Sequence, residues 1–294
     1  MSILGKIAIF ADSSCDFPRE YAKSEHISLI PLTVSFGDKQ YTDGIDIDSA
    51  GFFKLLKENS HILPKTSSPN PENFIESFKK VSSECETIIC FTLTSKSSGT
   101  FNSASIAKNI LDADDSFKPE IIIFDTYNAS IAIGLIASTA SAMAQNGDDV
   151  AAIIKRVTQM RERTALYFIL DTLEYVHKGG RIGAIKTILG TLLNVKPILT
   201  FLNGTPVDID KCRGIANAQE KLIKLFFEKS ANLNEVSIIH ASSLDRAKKL
   251  AADLEKTITD IKVKIFEVGA VMGAYSGAGA IGLAFEEKVA RILA

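Results

Sequence analysis

The residues best suited to chemistry lie in one stretch, Phe91-Thr-Leu-Thr-Ser-Lys-Ser-Ser-Gly-Thr-Phe-Asn-Ser-Ala104, where an apolar run meets a hydroxyl-rich turn and then a helix-like pattern. Residues 87–93 read as a strand, and Ala104, Ile106, Ala107, Ile110 and Leu111 follow at helical spacing. That order puts Ser98, Gly99 and Thr100 at the first turn of a helix, where backbone N–H groups lack partners and the macrodipole favours negative charge. Gly99 lets a ligand approach the backbone, and the two hydroxyls add donors. The turn can hold an anionic or strongly accepting head group. It can equally be an ordinary strand-to-helix loop in which Ser97 or Ser98 caps the helix. Thr66, in Lys65-Thr-Ser-Ser-Pro-Asn-Pro71, stands out for the opposite reason. Asn70 and Pro71 explain themselves as the cap and first residue of a helix, whereas Thr66, four residues before that cap, has no local structural duty.

Little else has the spacing of a catalytic or metal site. The four cysteines (Cys15, Cys85, Cys90, Cys212) fit neither a disulfide framework nor a zinc pattern, and the four histidines (His26, His61, His177, His240) form no HxxxH-like pair. No Ser-His-Asp or Cys-His arrangement and no Walker loop is suggested, so neither a catalytic residue nor a metal is expected. Gly277, Gly279 and Gly282 do satisfy G-x-G-x-x-G. A dinucleotide site also needs a second strand and a ribose-binding acid, and only a dozen residues follow. Tight turns near a domain interface explain these glycines better, and no cofactor is expected.

A chain of 294 residues with 46% hydrophobic and 23% charged content is an ordinary globular protein of one large domain or two. The net charge of −2, with Lys and Arg spread along the chain, provides no basic stripe for nucleic acid. The first residues hold an apolar run too short for a signal segment, and no run of 18 apolar residues occurs, so a cytoplasmic location with at most transient membrane contact is expected.

The elements that must position Thr66 and Ser98 alternate. Residues 6–11, 27–34, 87–93 and 120–124 read as strands, with Pro31 marking an irregularity or an edge. Helical patterns occupy residues 18–23, 48–58, 71–81, 129–145 and 149–161, and residues 38–46 read as loop or hairpin. This predicts a mainly parallel sheet with helices on both faces. Beyond residue 164 come a strand, a short helix stopped by Gly179-Gly180, and residues 192–212 as a hairpin around Asn203-Gly204. A helix and a further βαβ-like stretch then lead to the glycine-rich end. The expected fold is therefore α/β with two domains, residues 1–165 and 166–294.

These motifs together resemble the DegV family, whose members include the fatty-acid-binding FakB subunit of bacterial fatty acid kinase. The resemblance covers nearly the whole chain. It rests on Asp12-Ser13 with Asp16, Thr66-Ser-Ser-Pro69, Ser98-Gly-Thr100, Asp125-Thr126, Gly179-Gly-Arg-Ile182, Lys196-Pro-Ile-Leu199 and the terminal glycine-rich segment. It implies two α/β domains, the second with a mixed sheet, that hold a long-chain fatty acid between them. It also implies that Thr66 and Ser98, with Gly99 and Thr100, bind the carboxylate. Where the family has a His in its glycine-rich segment, this chain has Tyr275, and Ala278 replaces a Pro. Tyrosine can donate a phenolic hydrogen bond but carries no positive charge at neutral pH. Arg181 and Arg213 match basic positions that the family uses to engage a separate ATP-dependent kinase, which makes an acyl phosphate.

Physical chemistry fits an acyl ligand independently. Burying methylenes contributes about 0.8 kcal/mol each, so a tail of about 14 supplies on the order of 10 kcal/mol before the costs of association. Two rivals belong to other classes. One is an enzyme acting on a phosphorylated small molecule cradled at Ser98-Gly99-Thr100, with Lys96 as the only local basic group. The other is an interaction module with a vestigial cleft.

Overall fold

The computed structural model describes residues 6–183, 185 and 194–291. Its first half runs β1 (Ile7–Asp12), α1 (Arg19–Ser24), β2 (Ile27–Ile30), β3 (Thr33–Phe36), β4 (Lys39–Thr42), α2 (Ser49–Glu58), β5 (Lys65–Ser67), α3 (Pro71–Lys79), β6 (Thr87–Thr92), α4 (Thr100–Asp112) and β7 (Glu120–Asp125). Two helices follow, α5 (Ile131–Gln145) and α6 (Val150–Arg163). The second half comprises β8 (Thr164–Ile169), α7 (Glu174–Lys178), β9 (Val195–Leu202), β10 (Thr205–Arg213), α8 (Ile215–Lys229), β11 (Glu235–His240), α9 (Leu244–Glu255), β12 (Lys262–Glu267), α10 (Ala270–Ser276) and β13 (Ile281–Glu286).

Apolar runs in the first half build a four-stranded, wholly parallel sheet in the order β2-β1-β6-β7. Every residue of β6 is buried, as a central parallel strand covered on both faces requires. The expected single strand across residues 27–34 is instead two. Pro31 has no N–H to give to a ladder, and the chain leaves the parallel sheet there, β2 ending as its edge and β3 starting another sheet. That second sheet, β4-β3-β5, is antiparallel and includes residues 39–42 and 65–67, which the sequence pattern assigns only to loop or hairpin and to a chain break.

In the second half a six-stranded mixed sheet has the order β10-β9-β8-β13-β11-β12, with β11 and β12 parallel. The β9–β10 hairpin turns at Asn203 and Gly204, both with positive φ, as a tight hairpin turn demands. Residues 192 and 193 of the expected hairpin lie outside the described residues. The last strand, β13, inserts between β8 and β11 and is antiparallel to both.

Helix α5 ties the halves together. It is apolar nearly all round, and Ile131, Ile133 and Ile136 are fully buried, each contributing about 1.5–3 kcal/mol. One apolar core unites Ile9, Ile89 and Phe91 of the parallel sheet with Leu166, Leu199 and Ile239 of the mixed sheet. Separate clusters lie beneath each sheet's outer face.

Candidate functional site

Thr66 owes its place to the small antiparallel sheet, where it pairs with Val34 of β3. Ser68 follows directly after the end of β5 at Ser67. Its hydroxyl lies 3.0 Å from that of Ser98, in the loop that leads from β6 into α4. Gly99 is the N-cap of α4, and the cap's usual side-chain acceptor is supplied from one residue earlier. Thr100 N donates to Ser98 Oγ at 3.2 Å, and the Thr100 hydroxyl lies 2.8 Å from the same oxygen. Thr100 is fully buried and thus backs Ser98 rather than facing outward.

Tyr275 enters from the second half on α10, its phenol 2.6 Å from Thr66 Oγ1. Its ring lies flush against Gly179, where an added Cβ would come within 2.8 Å of it, which explains the first glycine of the Gly179-Gly180 pair. Arg181 stands over that ring, its guanidinium carbon 5.2 Å from the centroid, and its Nη1 donates to the Gly179 carbonyl at 2.8 Å. Its Nε reaches the Ser97 carbonyl at 3.4 Å. Thr66, Tyr275, Arg181, Ser97, Ser98 and Ser68 therefore form one continuous polar cluster, with Arg181 and Gly99 exposed.

Behind this cluster opens a cavity whose empty space, mouth included, is about 1050 Å³. Leu32, Leu93 and Ala129 line it from the first half, Leu166, Leu199 and Ile239 from the second, and Val271 and Met272 from α10. Among the described lining residues, Arg181 and Tyr275 are the only titratable ones. A narrow apolar recess with hydroxyl donors and one guanidinium at its entrance suits an amphipathic acid. Its described lining residues include no carboxylate, histidine or thiol to move a proton. Lys96, the basic group that a phosphate-processing site would call on, is not in the lining and packs its stem toward Gly204.

The structure brings Thr66, Ser98 and Tyr275 to one place. Arg181 belongs to the same cluster, a role that its residue type alone does not reveal. Arg213 does not line the cavity. It is exposed at the open end of the β9–β10 hairpin, opposite Val195. At the hairpin's other end, about 30 Å away for an extended strand, Thr94 Oγ1 donates to the Gly204 carbonyl at 3.0 Å. Ser68 also joins the cluster, and Ser97, a cap candidate from the sequence, contributes its backbone carbonyl; no local sequence signal marks either as part of the site. Other motif residues serve the loops: Asp125 accepts from Ser95 N and Tyr127 N, and the Thr126 hydroxyl donates to the Thr92 carbonyl.

Comparison with known proteins gives a consistent picture. A family model described as an uncharacterised protein of the DegV family matches residues 6–288. The DegV domain-containing protein BH3627 of Halalkalibacterium halodurans is 32% identical over 283 residues, 95% of this chain and 98% of that protein. A solved DegV family protein from Thermus thermophilus, described for its fatty acid binding, superposes with a TM-score of 0.86 at 26% identity, covering 96% of this chain and 99% of its own. The Streptococcus pneumoniae fatty acid kinase B3 protein loaded with linoleic acid has a TM-score of 0.82 at 21% identity, covering 95% and 99%, a likeness of fold alone.

Proposed function

Since this chain belongs to the DegV family, we propose that it binds one long-chain fatty acid between lobes formed by residues 1–165 and 166–294. The acyl tail occupies the apolar cavity, and the carboxylate accepts hydrogen bonds from Thr66, Ser98 and Tyr275, with the Gly99–Thr100 helix end behind them. The observation that carries this reading is the pairing of an apolar recess, walled from both halves, with a hydroxyl cluster at its entrance. The fatty acid binding described for the Thermus thermophilus relative supports it.

The protein itself performs no chemistry in this proposal. It sequesters the tail and presents the carboxylate to a separate ATP-dependent kinase in the cytoplasm, with Arg181 and Arg213 as docking residues and no cofactor. Exposure of Arg181 beside the head group supports that role. Among the described residues, no helix is long and apolar enough to cross a membrane.

Native mass spectrometry of the purified protein, followed by titration of delipidated protein with palmitate, tests the binding. One fatty acid per chain is expected. A protein that neither co-purifies with an acyl chain nor takes up palmitate refutes the reading. For docking, Arg181→Ala and Arg213→Ala should slow kinase-dependent acyl phosphate formation while palmitate affinity holds. Lost palmitate binding in both variants would count against that role.

A further inference from the structure

Helix α10 carries Tyr275 into the polar cluster, and its opposite end meets two buried carboxylates from the first half of the chain. Gly269 N donates to Asp16 Oδ1 at 2.9 Å, and Ala270 N donates to Asp43 Oδ1 at 3.1 Å. These N–H groups belong to the helix's N-cap and first residue, which have no carbonyl partner within the helix. Both carboxylates converge on Gly269, where an added Cβ would lie 3.2 Å from Asp16 Oδ1 and 3.5 Å from Asp43 Oδ1. The carboxylates are themselves held. The Ser13 hydroxyl donates to Asp43 Oδ2 at 2.8 Å and accepts from Leu32 N at 3.1 Å. The Ser130 hydroxyl donates to Asp16.

Ser130 adds an independent observation. It lines the cavity, and its backbone sits at φ 57°, ψ −149°, a region that is essentially reserved for glycine. A glycine there would relieve the strain and remove the hydroxymethyl group that reaches Asp16. In that conformation the Ser130 hydroxyl reaches Asp16.

We propose that Asp16 and Asp43, set by Ser130 and Ser13, form a clasp that seats the first turn of α10 and so positions Tyr275 against Thr66. The inference rests on the fatty-acid reading above. Gly269 and Tyr275 lie about 9 Å apart along the helix axis, so the clasp acts on the head-group site without touching the ligand's carboxylate. Midway along, the helix packs closely on α2, where an added Cβ on Gly273 would come within 2.6 Å of the Phe52 ring. The seat at one end therefore determines where the phenol lies at the other.

The test uses full-length, delipidated protein and two variants, Ser130→Gly and Asp43→Ala. Each should weaken palmitate binding threefold or more while changing methyl palmitate less than twofold, and adding Tyr275→Phe to either should bring little further loss. Equal losses for acid and ester, additive losses, or unchanged palmitate affinity in Ser130→Gly would overturn the clasp. Ser130→Gly removes backbone strain, so it keeps the question open to measurement if Asp43→Ala misfolds. NMR of ligand-free protein labelled at tyrosine Cζ provides a readout that needs no ligand. The Tyr275 signal, assigned by its disappearance in Tyr275→Phe, should shift in both clasp variants, and an unmoved signal refutes the proposal. A wild-type protein that takes up no palmitate refutes the fatty-acid reading instead, and the NMR comparison then decides the clasp on its own.

Discussion

Replacing Tyr275 with phenylalanine isolates the head group from the tail. The ring keeps its packing on Gly179 and its place beneath Arg181, so the change removes one hydroxyl, 2.6 Å from Thr66 Oγ1. A hydrogen bond to a charged carboxylate contributes about 1.5–3 kcal/mol. The free protein also loses its Thr66–Tyr275 bond, a neutral pair of about 1 kcal/mol, which lowers the net penalty on binding. The expected loss for palmitate is then roughly 0.5–2 kcal/mol, or about two- to thirtyfold in Kd. Methyl palmitate, which keeps the tail and lacks the charge, should change by less than about twofold. Displacement of a fluorescent fatty acid from delipidated protein, run with both ligands, measures the difference. Equal losses for acid and ester, or an acid affinity that does not move, would refute a carboxylate at this cluster.

Three further outcomes follow from the same geometry. Ser98→Ala combined with Thr66→Val should weaken palmitate by more than either alone and leave methyl palmitate nearly unchanged, which isothermal titration can resolve; equal changes in both ligands would contradict it. Gly277→Ala places a Cβ within 2.4 Å of the Tyr175 ring at φ +63°, so denaturant unfolding should show a loss of about 2 kcal/mol or more, and an unchanged midpoint would contradict the packing. Burial pushes the Asp16 carboxyl up to about 8 and those of Asp12 and Asp43 up to about 6. The fold thus favours the neutral carboxyls, so their contribution to stability is full below their ordinary value of 3.8 and is lost as pH rises through about 6 to 8. The melting temperature of the wild type should fall between about pH 4 and 8, with a shallower slope in Asp16→Asn; parallel slopes would refute the assignment.

Much of this architecture is legible in the sequence wherever a single local signal decides. The apolar run of β6 and the Asn70 cap with Pro71 behind it specify their elements without help from the rest of the chain. Thr66 illustrates the other case. Strand β5 has three residues, too few for alternation to register, and it exists because β3 offers it a partner. Asp43 reads as one more acid in an Asp- and Gly-rich loop, and only the fold reveals that it meets Ala270, far along the chain. Arg181 looks like a surface cation until Tyr275 is found beneath it. The position of β13 between β8 and β11 has no local signature, because strand order is a property of the assembled sheet. The Ser98 turn needed both kinds of information. Its polarity and glycine are visible in the sequence, while Thr66 arrives from a different sheet and Ser68 from the loop just after it.

The shared walls of the cavity also bear on how the chain is made. Leu32, Leu93 and Ala129 emerge from the ribosome well before Leu166, Leu199 and Ile239, which close over them. At about 5–20 residues per second, synthesis of residues 166–294 occupies roughly 6 to 26 seconds, during which the early oily face has no counterpart. That interval makes the nascent first half a natural client for chaperones. It also means that neither half alone encloses the cavity.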